Sequence, residues 1–101
     1  MSYSIRYLDR AGDEYYTALI WYGSRSSQTS INYAREVKNC AETILKEPDR
    51  FRKTHKDFRE VRLKRFPFIV IYTIDEGQNL ILIASIFHTK RNPKTKYRNL
   101  K

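Results

Sequence analysis

The sequence predicts an α+β fold, an antiparallel sheet of three to four strands packed against an N-terminal helical hairpin in the order β-α-α-β-β-β. Three observations predict it. Residues 11–45 place apolar side chains at helical spacing on both sides of one short polar break. Residues 58–87 switch to strand patterning, with two apolar, β-branched runs separated by a turn sequence. Each helix carries a single apolar face, which it can bury only against another layer.

Ser2–Leu8 alternates Tyr3, Ile5 and Tyr7 with polar neighbours, the period of a short strand. Asp9 offers an N-cap, and Asp13 and Glu14 place negative charge in the first helical turn. Ala11, Tyr15, Ala18, Leu19 and Tyr22 then form one stripe. Gly23–Ser30 is a polar break before a second helix striped by Tyr33, Val37, Cys40, Ile44 and Leu45. Pro48 ends it, because the residue before proline avoids the helical basin. The short loop between them makes the helices an antiparallel hairpin.

Between Phe58 and Arg65, alternation points Val61 and Leu63 inward and Arg62 and Lys64 outward together. Phe66–Ile74 reads as a central strand, with Pro67 at its start, where a missing N–H is tolerable. Asp75–Asn79 is a hairpin turn in which Gly77 can take positive φ. Leu80–Phe87 is the return strand. The helices are expected to cover one sheet face and to leave the other partly open, flanked by Arg62, Lys64 and the basic tail.

At 101 residues the chain is the size of one domain, 1–101, and should bury roughly 65% of its unfolded surface. No apolar run approaches the ~18 residues of a membrane span, and MSYSIRYLDR has no secretory apolar region, so a cytoplasmic location is expected. Cys40 is the single cysteine, which leaves no internal disulfide and suggests a buried, inert thiol.

Charge is unevenly divided. Residues 1–49 hold six Lys/Arg and seven Asp/Glu (−1), whereas residues 50–101 hold fourteen and four (+10), giving the net +9. Such asymmetry points to a polyanion or an acidic protein partner. No glycine-rich phosphate loop occurs, and His55 and His88 lack metal-site spacing, so neither metal nor cofactor is expected.

What remains is cations, tyrosines and a histidine near a strand end. Metal-free RNA cleavage needs a base, an acid and cations to stabilise the phosphorane. Arginine and lysine could supply that charge, and Tyr97, His88 or a lysine could move protons. Lys64, Arg65, Lys90, Lys94 and Lys96 are the accompanying candidates for contacts to nucleic acid or another target. The plainer reading makes His88 structural and puts Tyr15, Tyr22, Tyr33 and Tyr72 in or near the core. Trp21, off the helix stripe, fits a sheet edge and a partner interface equally well.

Several motifs in series resemble the RelE/ParE superfamily of type II toxin–antitoxin toxins, among them plasmid-stabilisation proteins. They are A-x3-Y-x2-A-x2-W-Y at Ala11–Tyr22, Tyr33-x3-Val37, Ile44-x3-Pro48, FREVRLKRFPFIVIY at Phe58–Tyr72 and H-T-K-R-N-P at His88–Pro93. The resemblance implies a helical hairpin on an antiparallel sheet and a toxin held by its cognate antitoxin in a hetero-oligomer. RelE-like members cut mRNA on the ribosome, and Arg62, Arg91 and Tyr97 match residues of that site. Ile69 and Glu60 stand where that branch has an arginine and a lysine. The F-P-F run and the H-T-K-R-N-P tail look more like the ParE-like branch, which implies DNA gyrase as target and no catalysis. A non-toxic basic nucleic-acid-binding module is the third reading.

Overall fold

The computed structural model describes residues 2–100. The alternating start becomes β1 (Ser4–Tyr7), followed by α1 (Asp9–Gly23) and α2 (Ser27–Lys46). Four strands follow: β2 (Lys53–His55), β3 (Phe58–Arg62), β4 (Phe68–Asp75) and β5 (Leu80–His88). A short 3-10 turn, Pro93–Thr95, opens the tail. The α+β class and the helical hairpin are as the sequence predicts.

The sheet differs in number and in sense. It has five strands in the order β1-β5-β4-β3-β2, and β1 pairs parallel to β5 while the other pairs are antiparallel. β2 was hidden in the sequence because KTH is polar and exposed on an edge, without alternation to reveal it.

Local signals resolve more finely than expected. Asp9 is the first helical residue rather than the cap, which is Leu8. The interhelical break shrinks to three residues, because Ser26 caps α2 by accepting from the Thr29 amide at 3.2 Å. In the β4–β5 turn the left-handed residue is Asn79, at φ 51°, and Gly77 has no positive φ.

The main core lies between the helices and one sheet face. Tyr33 is its hub, with Tyr15, Tyr22, Phe66 and Phe68 rings 5.4–5.5 Å from its own. Val61 and Leu63 point into this core as alternation requires. Val70, Tyr72, Ile81, Ile83 and Ile86 complete the sheet side of it.

The second face is not open. Phe58, Ile69, Ile71, Ala84 and Phe87 form a smaller core there, covered by Leu8, Tyr97 and Leu100. β4 is therefore buried on both faces, which explains its unbroken apolar sequence. A bulge in β5 helps to build this second core. Ala84 is an extra residue between the Ile83–Tyr72 and Ser85–Ile71 pairs. It shifts the alternation so that Ile86 faces the helices and Phe87 faces the tail.

Candidate functional site

The tail is held down by side chains from α1. Arg10 donates to the carbonyls of Lys96 and Arg98, both at 2.8 Å. Glu14, little exposed, accepts on one oxygen from the Ser85 hydroxyl at 2.7 Å and the Ile86 amide at 3.0 Å. Its other oxygen meets Arg91 at 2.6 Å. Glu14 thus satisfies the backbone amide beside the bulge and ties the tail to α1 with the same carboxylate. The sequence offered only a helix-dipole role for Glu14 and none for Arg10, since both partners lie more than 70 residues away.

Tyr97 then lies on the second sheet face. Its ring stacks on His55 with centroids 4.2 Å apart, and its hydroxyl donates to Glu60 on β3 in a short hydrogen bond. Lys96 sits 3.3 Å from the same Glu60 oxygen. The Thr54 hydroxyl is 2.5 Å from the Tyr97 oxygen and is the donor there, because the tyrosine proton is committed to Glu60.

Electrostatics follow from these contacts. Burial alone would raise the Glu60 carboxyl, but the Tyr97 hydrogen bond, the Lys96 charge and Thr54 together hold it below its ordinary range. Burial, reinforced by the Glu60 carboxylate, pushes the Tyr97 phenol up to about 12. A proton-transfer group works best with a pKa near the operating pH. Tyr97 is instead a neutral, fully engaged hydrogen-bonding group at pH 7.

The other residues proposed for chemistry occupy separate environments. Arg91 pairs with Glu14 and lies 4.9 Å over the Phe87 ring. His88 follows Phe87 on β5 and so faces the opposite side of the sheet, edge-on to Phe68 at 5.0 Å. Its Nδ1 accepts from the Lys90 amide at 3.1 Å. Tyr97 and His88 are thus divided by the sheet and do not form one acid–base pair. Arg62 is exposed and has no hydrogen bond or ion pair among the described residues. Lys64, Arg65, Lys90 and Lys94 are exposed, whereas Lys96 is engaged by Glu60.

Two grooves flank this framework. One, about 620 Å³, runs between α1 and β5, where Ala18, Trp21, Tyr22, Phe68 and Ile86 give it an apolar wall. Trp21 is half exposed at its lip, with the Arg25 guanidinium 3.7 Å over the ring. The other, about 490 Å³, lies between α2 and β3 and is basic. Cys40 lines it with a thiol that burial, and then Glu36, push up to about 11, so the thiol stays neutral and unreactive. Among the described residues no cluster of three or more His, Cys, Asp or Glu could hold a metal ion. No helix among them is long and apolar enough to cross a membrane.

Solved toxin structures share this architecture. A chain of the chromosomal ParDE TA system from P. aeruginosa superposes with a TM-score of 0.74 at 12% identity, covering 88% of this chain and 98% of that one. The isolated E. coli RelE toxin gives 0.63 at 13% identity, covering 94% and 93%. The RelBE2 toxin–antitoxin complex from Mycobacterium tuberculosis gives 0.59 at 16%, covering 87% and 99%. At such identities these likenesses describe the fold. No curated protein matches the sequence significantly. The family model for the ParE toxin of the type II toxin-antitoxin system, parDE, matches residues 5–93, most of the length. With that match running from within β1 through both helices and past β5, the chain belongs to the ParE toxin family.

Proposed function

We propose that this ParE-family toxin arrests bacterial growth by binding DNA gyrase and not by cutting RNA. The observation that carries the reading is the engagement of Tyr97. Its hydroxyl donates a hydrogen bond to Glu60, and its pKa is pushed away from neutrality. The environments of Arg91 and His88 agree with it. Arg91 neutralises Glu14, and His88 lies across the sheet from Tyr97. Ile69 is buried in the second core, so the position where RelE-like toxins have an arginine contributes packing.

The cognate partner in this reading is an antitoxin, and the resting form is a hetero-oligomer with it. The E. coli RelBE and M. tuberculosis RelBE2 neighbours are themselves toxin–antitoxin complexes. Exposed Tyr16, Ile20 and Trp21 on α1, together with the apolar groove, are surface that such a partner would cover.

The test is a supercoiling assay with purified gyrase and stoichiometric toxin, run beside primer extension on translated mRNA after induction. Lost supercoiling with intact mRNA is the expected result. Cleaved mRNA with normal supercoiling would instead establish ribosome-dependent RNA cleavage, for which exposed Arg62 is one cation without a partner among the described residues. Nucleic-acid binding without growth arrest would establish the non-toxic module.

A further inference from the structure

α1 turns one side to the core and leaves the other uncovered. Tyr16, Ile20 and Trp21 are 60%, 70% and 51% exposed, three of the five exposed large hydrophobics among the described residues. None of them belongs to the core, whose α1 members are Ala11, Tyr15, Ala18, Leu19 and Tyr22. Tyr16 and Trp21 touch it only edge-on, through Tyr15 at 5.1 Å and Tyr22 at 5.2 Å. Helical spacing gathers Asp13, Tyr16, Thr17, Ile20 and Trp21 on this outer face. Contiguous exposed apolar surface of this kind marks an interaction site.

The charges at the two ends of the face say which partner fits. Exposed Asp9 and Asp13, at its N-terminal end, have no hydrogen bond or ion pair among the described residues. Arg25, just past the C-terminal end, is stacked 3.7 Å over the Trp21 ring. Its hydrogen bonds go to the Trp21 carbonyl and the Ser24 hydroxyl, and it meets no carboxylate among the described residues. About 18 Å of helix separates Asp13 from Arg25, so the two cannot meet within one chain. A face that is acidic at one end, apolar in the middle and cationic at the other is complementary to itself turned end for end.

We infer that, in the chain free of antitoxin, this face of α1 pairs with the same face of a second copy, the two helices antiparallel. A two-fold axis at the level of Leu19 sets Asp13 of each copy against Arg25 of the other. In that register Trp21 lies opposite Thr17 of the other copy, and the two Ile20 side chains meet near the axis. The apolar centre supplies the attraction, and the ion pairs fix direction and register more than strength. Such an isologous contact closes at two copies. Asp9 and Asp13 would repel a nucleic acid or an anionic membrane laid on the same face. An antitoxin covering the face takes the place of the second copy, so the pair belongs to the free toxin, whatever its target.

Sedimentation velocity on the purified full chain tests it, at physiological ionic strength, where repulsion between two +9 chains is screened beyond about 8 Å. A monomer–dimer equilibrium is expected, and a single monomeric species up to millimolar concentration would overturn the inference. Ile20→Glu, at a position too exposed to carry the fold, should weaken dimerisation roughly tenfold or more. A dimer untouched by it would overturn the α1 face. Should circular dichroism show that variant misfolded, Thr17→Arg on the same exposed face carries the same test with the same two outcomes. Asp13→Arg and Arg25→Asp should each weaken the dimer severalfold, and the double exchange, which leaves net charge unchanged, should recover most of the loss. Losses that merely add would overturn the antiparallel register. Trp21 is the only tryptophan, and its emission should shift to shorter wavelength as the chain is concentrated. Unchanged emission alongside dimerisation would place the contact elsewhere and overturn the assignment.

Discussion

Tyr97 donates its phenolic hydroxyl to Glu60, so this tail side chain is closed by a carboxylate on the strand beneath it. Tyr97→Phe keeps the ring on His55 and removes the hydroxyl, leaving Glu60 with Lys96. The expected loss is about 1 kcal/mol in urea denaturation, the size of a partly exposed hydrogen bond. Growth arrest on induction should persist. Abolished toxicity with retained stability would assign Tyr97 a chemical role.

Glu14 is the more consequential carboxylate. Glu14→Ala strands the buried Ser85 hydroxyl and the Ile86 amide, and we expect it to cost about 2–4 kcal/mol. Arg91→Ala should cost much less, within about 1 kcal/mol, because Arg91 is 46% exposed and water replaces the lost pair. Equal losses in calorimetric melts would contradict the assignment of Glu14 to the bulge.

Stability should fall at both pH extremes, for different residues. Tyr72 and Tyr97 are each raised from 10.0 to about 12, chiefly by burial, and Tyr33 is raised further. Their folded pKa values exceed the unfolded ones, so their contribution is complete below about pH 10 and disappears as pH rises toward 12. Glu60 has the opposite sign. Its folded value is lowered, so its contribution is present above the unfolded carboxyl pKa of about 4.3 and is lost as pH falls through the lower folded value. Urea midpoints measured across pH would check both limbs, and Tyr97→Phe should flatten each of them.

Gly12 has a simpler forecast. It sits inside α1 without positive φ, and an added Cβ would meet nothing within 4 Å. Gly12→Ala should therefore stabilise the monomer by about 0.5–1 kcal/mol through backbone entropy. A destabilised variant in thermal melts would reveal a close contact at this position.

The sequence by itself determined the layers and the core. Tyr15, Tyr22, Tyr33 and Tyr72 were legible as core or boundary residues because helical and strand periods are local properties of the chain. The two long strands and the Pro48 stop were legible for the same reason. Only tertiary structure decided the site. The pairing of β1 with β5 and the meetings of Glu14 with Arg91 and of Glu60 with Tyr97 join residues 37 or more positions apart, and the bulge that turns Phe87 toward the tail is set by the β4–β5 register. No local pattern encodes such contacts, because they form only when packing brings distant strands and the tail together. The same holds for the basic groove, whose Arg35 comes from α2 and whose Lys64 follows β3. Charge content is written in the sequence, but which cations are left without a partner is settled by the fold.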